Sequence, residues 1–139
     1  MLVDTNILVY AINSDSPKNK IAQLFLQEHI NYLTIAHQNI IEALRVLTHP
    51  KFTSPMKPNE AQEALWAIVD ASKIIYPNNK THYLALELIK ENNLFGNQIF
   101  DAYLAATTIS NNITSIATDN VKDFQKFNIT VLNPFVKNL

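Results

Sequence analysis

Four acids stand out by the residues around them: Asp4 between Leu2-Val3 and Ile7-Leu8-Val9, Glu42 among Ile40, Ile41 and Leu44, Asp101 in an alanine-rich stretch, and Asp119 behind a short apolar run. A carboxylate between core-forming residues must reach water, a partner or a cation, because burying it unpaired costs several kcal/mol or more. Asp4 has no local partner in the sequence. Carboxylates gathered in one place repel, and a hard divalent cation with oxygen ligands and retained waters, Mg²⁺ or Mn²⁺, relieves the charge. Asp4 is on these grounds a candidate metal ligand. The plainer readings differ from acid to acid. Asp101 or Asp123 can simply face a helix dipole in a first turn, and Glu42 can pair with Arg45 three residues on. The chain has no cysteine, which removes thiolate metal sites and a cysteine nucleophile. His29, His37, His49 and His82 are scattered outside the acidic blocks, so a histidine-dependent mechanism is disfavoured.

To converge, these acids need a scaffold that brings distant segments to one edge. Short apolar runs containing β-branched residues alternate with longer helical patterns, the signature of a parallel sheet with crossover helices. The fold class is read as α/β. Strands are expected at 2–4, 32–36, 73–76, 114–117 and 129–132. Helices are expected from Thr5 or Asn6 through Tyr10, over 17–29 with Ile21, Leu24 and Phe25 on the buried face, over 38–48, from Pro58 onward, over 80–93, over 98–111, and as a short turn over 121–127. Gly96, the only glycine, is expected to terminate a helix at positive φ. Ligands of open parallel sheets gather at the carboxyl ends of strands and the adjoining helix starts, which is where Asp4, Glu42, Asp101 and Asp119 fall.

A chain of 139 residues with 47% hydrophobic content suffices for one core, so residues 1–139 are read as a single domain. A net charge of −1 gives no global basic field and leaves nucleic-acid contact to a local patch or a metal. The sequence shows no signal-peptide pattern and no long apolar run, and reads as a cytoplasmic protein without a membrane partner.

The blocks DTNILVY at 4–10, NIIEALRVLTHP at 39–50, GNQIFDAYLAAT at 96–107 and TDNVKDF at 118–124, taken in order, resemble PIN-domain ribonucleases of the VapC toxin type. The resemblance implies a three-layer α/β/α sandwich around a parallel sheet, an acidic pocket holding Mg²⁺ or Mn²⁺, cleavage of RNA, and a cognate antitoxin. By motif position it assigns the metal centre to Asp4, Glu42, Asp101 and Asp119. TDNVKDF departs from the family spacing, so Asp119 or Asp123 fills the fourth position, with Asp119 favoured for its place at a strand end. Thr5, Asn6, Thr118 and Asn120 are candidate hydrogen-bond partners of the acids, and Arg45, with Lys18, Lys20, Lys51 and Lys122, a candidate phosphate contact. The expected chemistry is phosphodiester hydrolysis, with water activated at the cation attacking phosphorus in line. Asp4 and Asp101 are the first-choice ligands, with Glu42 binding or orienting the nucleophile. Rival readings are an RNA-processing PIN nuclease outside toxin systems, a catalytically silent PIN module, and an Asp-nucleophile phosphatase, for which DTN lacks the second acid. A homodimer is expected, with Phe52, Met56 and Trp66 as apolar interface candidates.

Overall fold

The apolar runs form strands shorter than the runs themselves. In the computed structural model, which describes residues 1–137, β1 is Leu2–Val3, β2 Thr34–Ala36, β3 Lys73–Ile75, β4 Ser115–Ala117 and β5 Thr130–Leu132. All pair in parallel, in the order β3-β2-β1-β4-β5, and Leu2 lies opposite Thr34 on one side and Ile116 on the other. The helices are α1 Thr5–Ile12, α2 Asn19–Glu28, α3 His37–Thr48, α4 Pro58–Val69, α5 Thr81–Asn92, α6 Gln98–Ser110 and α7 Val121–Phe124. No described helix is long and apolar enough to cross a membrane.

Side chains alternate between the two faces of a strand, and that alternation divides the apolar residues into two cores. Val3, Ile35 and Ala117 point to one face, where α1, α2, α3 and α4 cover them with Ile7, Leu8, Phe25, Leu47 and Leu65. Leu2, Ala36 and Ile116 point to the other, where they meet Ala102, Leu104 and Ala105 of α6 and Phe124 of α7. This is the three-layer arrangement expected. The small residues of α6 let its backbone approach the sheet closely, and Thr107 and Thr108 on the same helix return their hydroxyls to the carbonyls of Tyr103 and Leu104. Pro50 ends α3 as expected, since His49 takes the extended conformation (φ −66°, ψ 133°) that a residue before proline favours.

Three local expectations are corrected. On α2 the buried residues are Ala22, Phe25 and Leu26, while Ile21 and Leu24 are 43% and 55% exposed. Asn19 donates to the carbonyls of Tyr10 and Ala11, and Gln23 to that of Ala11, which turns the 19-22-23-26 edge toward α1. Gly96 does have positive φ (54°), but it lies in the connection before α6. The residue that ends α5 is Asn93, left-handed at φ 52°. Phe52 and Met56 pack half-buried against the first core, leaving Trp66, 64% exposed, as the interface candidate of the three.

Asparagine tolerates the left-handed conformation and a β-branched residue does not. Asn93→Val should therefore lower stability by about 1–2 kcal/mol and Asn93→Gly should leave it unchanged or slightly raised, as read from urea midpoints.

Candidate metal centre

Asp4 follows directly on β1, and its backbone N–H still pairs with the Ala117 carbonyl of β4 at 3.0 Å. The chain then turns into α1, with Asp4 as N-cap: its Oδ1 accepts from the Thr5 backbone N–H at 2.7 Å. Its Oδ2 accepts from Thr118 Oγ1 at 2.7 Å and from Asn6 Nδ2 at 3.2 Å. The carboxyl of this buried side chain is pushed up to about 6 by desolvation. The charges of Glu42 and Asp123 push in the same direction, against the lowering by the bonds from Thr118 and Thr5.

Glu42 reaches the same place from the second turn of α3. Its Oε2 accepts from Thr5 Oγ1 at 3.0 Å and its Oε1 from Gln38 Nε2 at 2.7 Å. Thr5 Oγ1 in turn accepts from Asn39 Nδ2 at 3.1 Å, and Asn39 is fully buried, its Oδ1 taking the Ala36 backbone N–H at the start of α3. Asp101 comes from the first turn of α6. Burial, followed by the charges of Asp123, Asp4 and Glu42, pushes its carboxyl up to about 7, with Lys126 opposing. Asp4, Glu42 and Asp101 line one cleft of about 350 Å³, with Thr5, Asn6, Tyr10, Phe52 and Asn120 also on its walls. Among the described residues, no three His, Asp or Glu side chains stand close enough to form a ready-made metal cage. Asp4, Asp101 and Glu42 are the residues available to a cation that keeps most of its waters.

The two acids left open by the sequence are both absent from the walls of this cleft and line its neighbour, with Asn120 and Asn133. Asp119 pairs its carboxylate with the Lys18 ammonium and accepts from Tyr10 Oη at 3.0 Å and Asn133 Nδ2 at 3.3 Å. Desolvation raises its carboxyl, but the bonds from Lys18, Tyr10 and Asn133 and the charge of Lys18 outweigh this and hold it below the usual carboxylate range. Lys18 is itself held over the rings of Tyr10 and Phe135, 5.3 and 5.2 Å from their centroids. Asp123, on α7, is the acid whose charge acts on both Asp4 and Asp101.

Of the other named residues, Thr5, Asn6 and Thr118 brace the acids directly. Asn6 also donates to Thr118 Oγ1 and accepts the Asp119 backbone N–H, and Thr118 Oγ1 accepts the N–H of Asn120. Arg45 is exposed and lies beside His49, Lys51 and Phe52 in a separate depression. Lys18–Asp119 is the ion pair found among the described residues, so the Glu42–Arg45 pair, the alternative reading of Glu42, is not made. Gln38 and Asn39 escaped the sequence reading. The available signal was their spacing, four and three residues before Glu42, which puts all three on one side of α3.

The chain matches the PIN domain over residues 1–128. It belongs to the PIN domain family. It is 30% identical over 144 residues to ribonuclease VapC43 of Mycobacterium tuberculosis, covering 91% of this chain and 89% of that protein. Its fold is that of VapBC2 from Rickettsia felis, solved bound to a promoter DNA fragment (TM-score 0.73, 22% identity, 95% of this chain and 96% of that one). FitAcB from Neisseria gonorrhoeae is similar too (TM-score 0.75, 18% identity, 96% and 97%).

The raised carboxyls fix a pH dependence. Asp4 and Asp101 bind protons more tightly folded than unfolded, so between the unfolded value near 3.8 and the folded values of about 6 and 7 the native state holds the extra protons. Stability of the metal-free protein therefore falls as pH rises through that window. The Asp4 shift alone is worth about 3 kcal/mol. Urea midpoints of metal-free protein should drop from pH 5 to pH 8, and millimolar Mg²⁺ or Mn²⁺ should flatten the profile.

Proposed function

We propose that this chain is a divalent-metal-dependent endoribonuclease, the toxin of a toxin–antitoxin pair acting in the cytoplasm. The carrying observation is the delivery of Asp4, Glu42 and Asp101 by three separate elements to one cleft at the carboxyl edge of the sheet, with the Asp4 and Asp101 carboxyls displaced toward neutrality by burial and by neighbouring acids. Membership of the PIN family and the likeness to a VapC ribonuclease support the same reading.

The donor set fits Mg²⁺ or Mn²⁺. Such ions take one or two carboxylates and keep several waters, and a cleft with one buried and two half-buried acids, no thiolate and no histidine on its walls provides that. When bound, the cation supplies Lewis acidity toward a phosphodiester and activates water for in-line attack on phosphorus. The chain's own residues do the rest. Asp4 and Asp101 hold the cation. Thr5, Thr118 and Asn6 fix the Asp4 carboxylate so that no reorganisation is needed on binding. Glu42, fixed at both oxygens, orients the attacking water. Asp123 supplies the fourth negative charge, and Asp119 instead ties Lys18, Tyr10 and Asn133 together behind the cleft.

The proposed partners follow from the same charge. A basic side chain from a small antitoxin can enter the cleft in place of the cation. Self-association is proposed through the face carrying exposed Trp66, which borders an apolar groove with Ile40, Leu44 and Leu65.

Asp4→Asn and Asp101→Asn should each reduce Mn²⁺-dependent cleavage of RNA by about 100-fold or more while the protein stays folded, because charge stabilisation worth several kcal/mol is lost. In the same assay Asp123→Asn should be severely impaired and Asp119→Asn within a few-fold of wild type. The opposite ranking would return the fourth position to Asp119. Expression alone should slow growth and expression of Asp4→Asn should not. Harmless expression of a folded, RNA-cleaving protein would remove the toxin assignment and leave an RNA-processing nuclease, and a monomer in light scattering would remove the dimer.

A further inference from the structure

Glu42 and Asp101 ride on different helices, and one side chain bridges the two helices. Gln38 lies one turn before Glu42 on α3. Its Nε2 donates to Glu42 Oε1 at 2.7 Å and to the carbonyl of Phe100, the residue before Asp101 on α6, at 3.1 Å. Among the described residues this is the one hydrogen bond joining α3 to α6. The amide has a single workable orientation. Turned over, its oxygen would face a carboxylate oxygen and a carbonyl oxygen, acceptor against acceptor.

The working orientation leaves Gln38 Oε1 buried with no hydrogen-bond partner, the side-chain atom so stranded among the described residues. An unpaired buried acceptor weakens a fold, so methionine, of the same length and without the orphan oxygen, would fill this space at less cost to stability. What methionine would lose is the double donation. Glu42 Oε2 is already held by Thr5; Gln38 holds the other oxygen and ties it to the backbone that carries Asp101.

We propose that Gln38 is a positioning residue, setting the Glu42 carboxylate against the start of α6 so that Glu42 and Asp101 address the same divalent cation. The proposal rests on the metal-dependent nuclease reading. Its test uses the full chain carrying Gln38→Met, with Gln38→Leu as a second variant. Three quantities are read: thermal stability without metal, Mn²⁺ affinity from the free-Mn²⁺ paramagnetic resonance signal, and kcat and KM on RNA at saturating Mn²⁺. Melting temperatures equal to or above wild type are expected, with a Mn²⁺ dissociation constant raised about 10-fold and a loss in kcat larger than any change in KM. In a Glu42→Gln background, Gln38→Met should change Mn²⁺ affinity no further, because the residue acts through Glu42.

Wild-type Mn²⁺ affinity in folded Gln38→Met would overturn the proposal. So would an equal loss in the Glu42→Gln background, or failure of both variants to fold, since positioning predicts that stability is kept. Wild-type protein that binds no Mn²⁺ would overturn the nuclease reading itself and this proposal with it, an outcome distinguishable from the others because it appears before any substitution is made.

Discussion

The Asp4 carboxylate is the buried centre of the side-chain contacts that join the two halves of the sheet. Its three donors come from the first turn of α1 and from the end of β4, and the Thr118 bond spans 114 residues of sequence. β1 is two residues long and β4 three, so their backbone ladder is short and the polar mesh beyond it carries much of the local order. Aspartate suits this junction twice over, as helix cap and as acceptor for Thr118. Its position at the positive end of α1 also offsets part of the cost of burying charge.

The same arrangement sets stability against function. Burial makes Asp4 and Asp101 harder to ionise, Asp4 adds to the effect at Asp101, and Glu42 and Asp123 add to both. A metal-free molecule carries that repulsion unrelieved. Apolar cores on both faces of the sheet, anchored by residues with no exposure such as Ile7, Leu47 and Ile116, offset it. Strained charge sitting on a well-packed scaffold is a common compromise of active sites, where a sequence optimised for stability alone would place neutral residues.

The strands and the acids at their ends were legible in the sequence because both depend on local pattern: apolar runs of the right length, and a carboxylate where the run stops. What local pattern could not resolve was decided by distant partners. Asp119 and Asp123 lie four residues apart in one strand-to-helix turn, and Asp119 is taken up by Lys18, Tyr10 and Asn133, none of which adjoins it in sequence. The buried face of α2 was misread for a related reason, since polar Asn19 and Gln23 point inward to reach α1 carbonyls while apolar Ile21 and Leu24 point out. Asn93 took the helix-ending role expected of Gly96 because a left-handed turn can be made by asparagine as well.

The long reach of the Asp4–Thr118 bond has a consequence for the order in which the molecule comes into being. A growing chain emerges from its N-terminal end, so Asp4, Thr5 and Glu42 are available long before Thr118 and Asp123. The early segments can form α1 to α4, but β1 then has an unpaired edge and Asp4 lacks the hydroxyl that fixes it. The acid cluster closes only when β4 and α7 have been made and docked. The cluster thus assembles only once the segment carrying Thr118 is in place, and fragments that stop short of residue 118 carry Asp4 and Glu42 without the hydroxyl that fixes the Asp4 carboxylate.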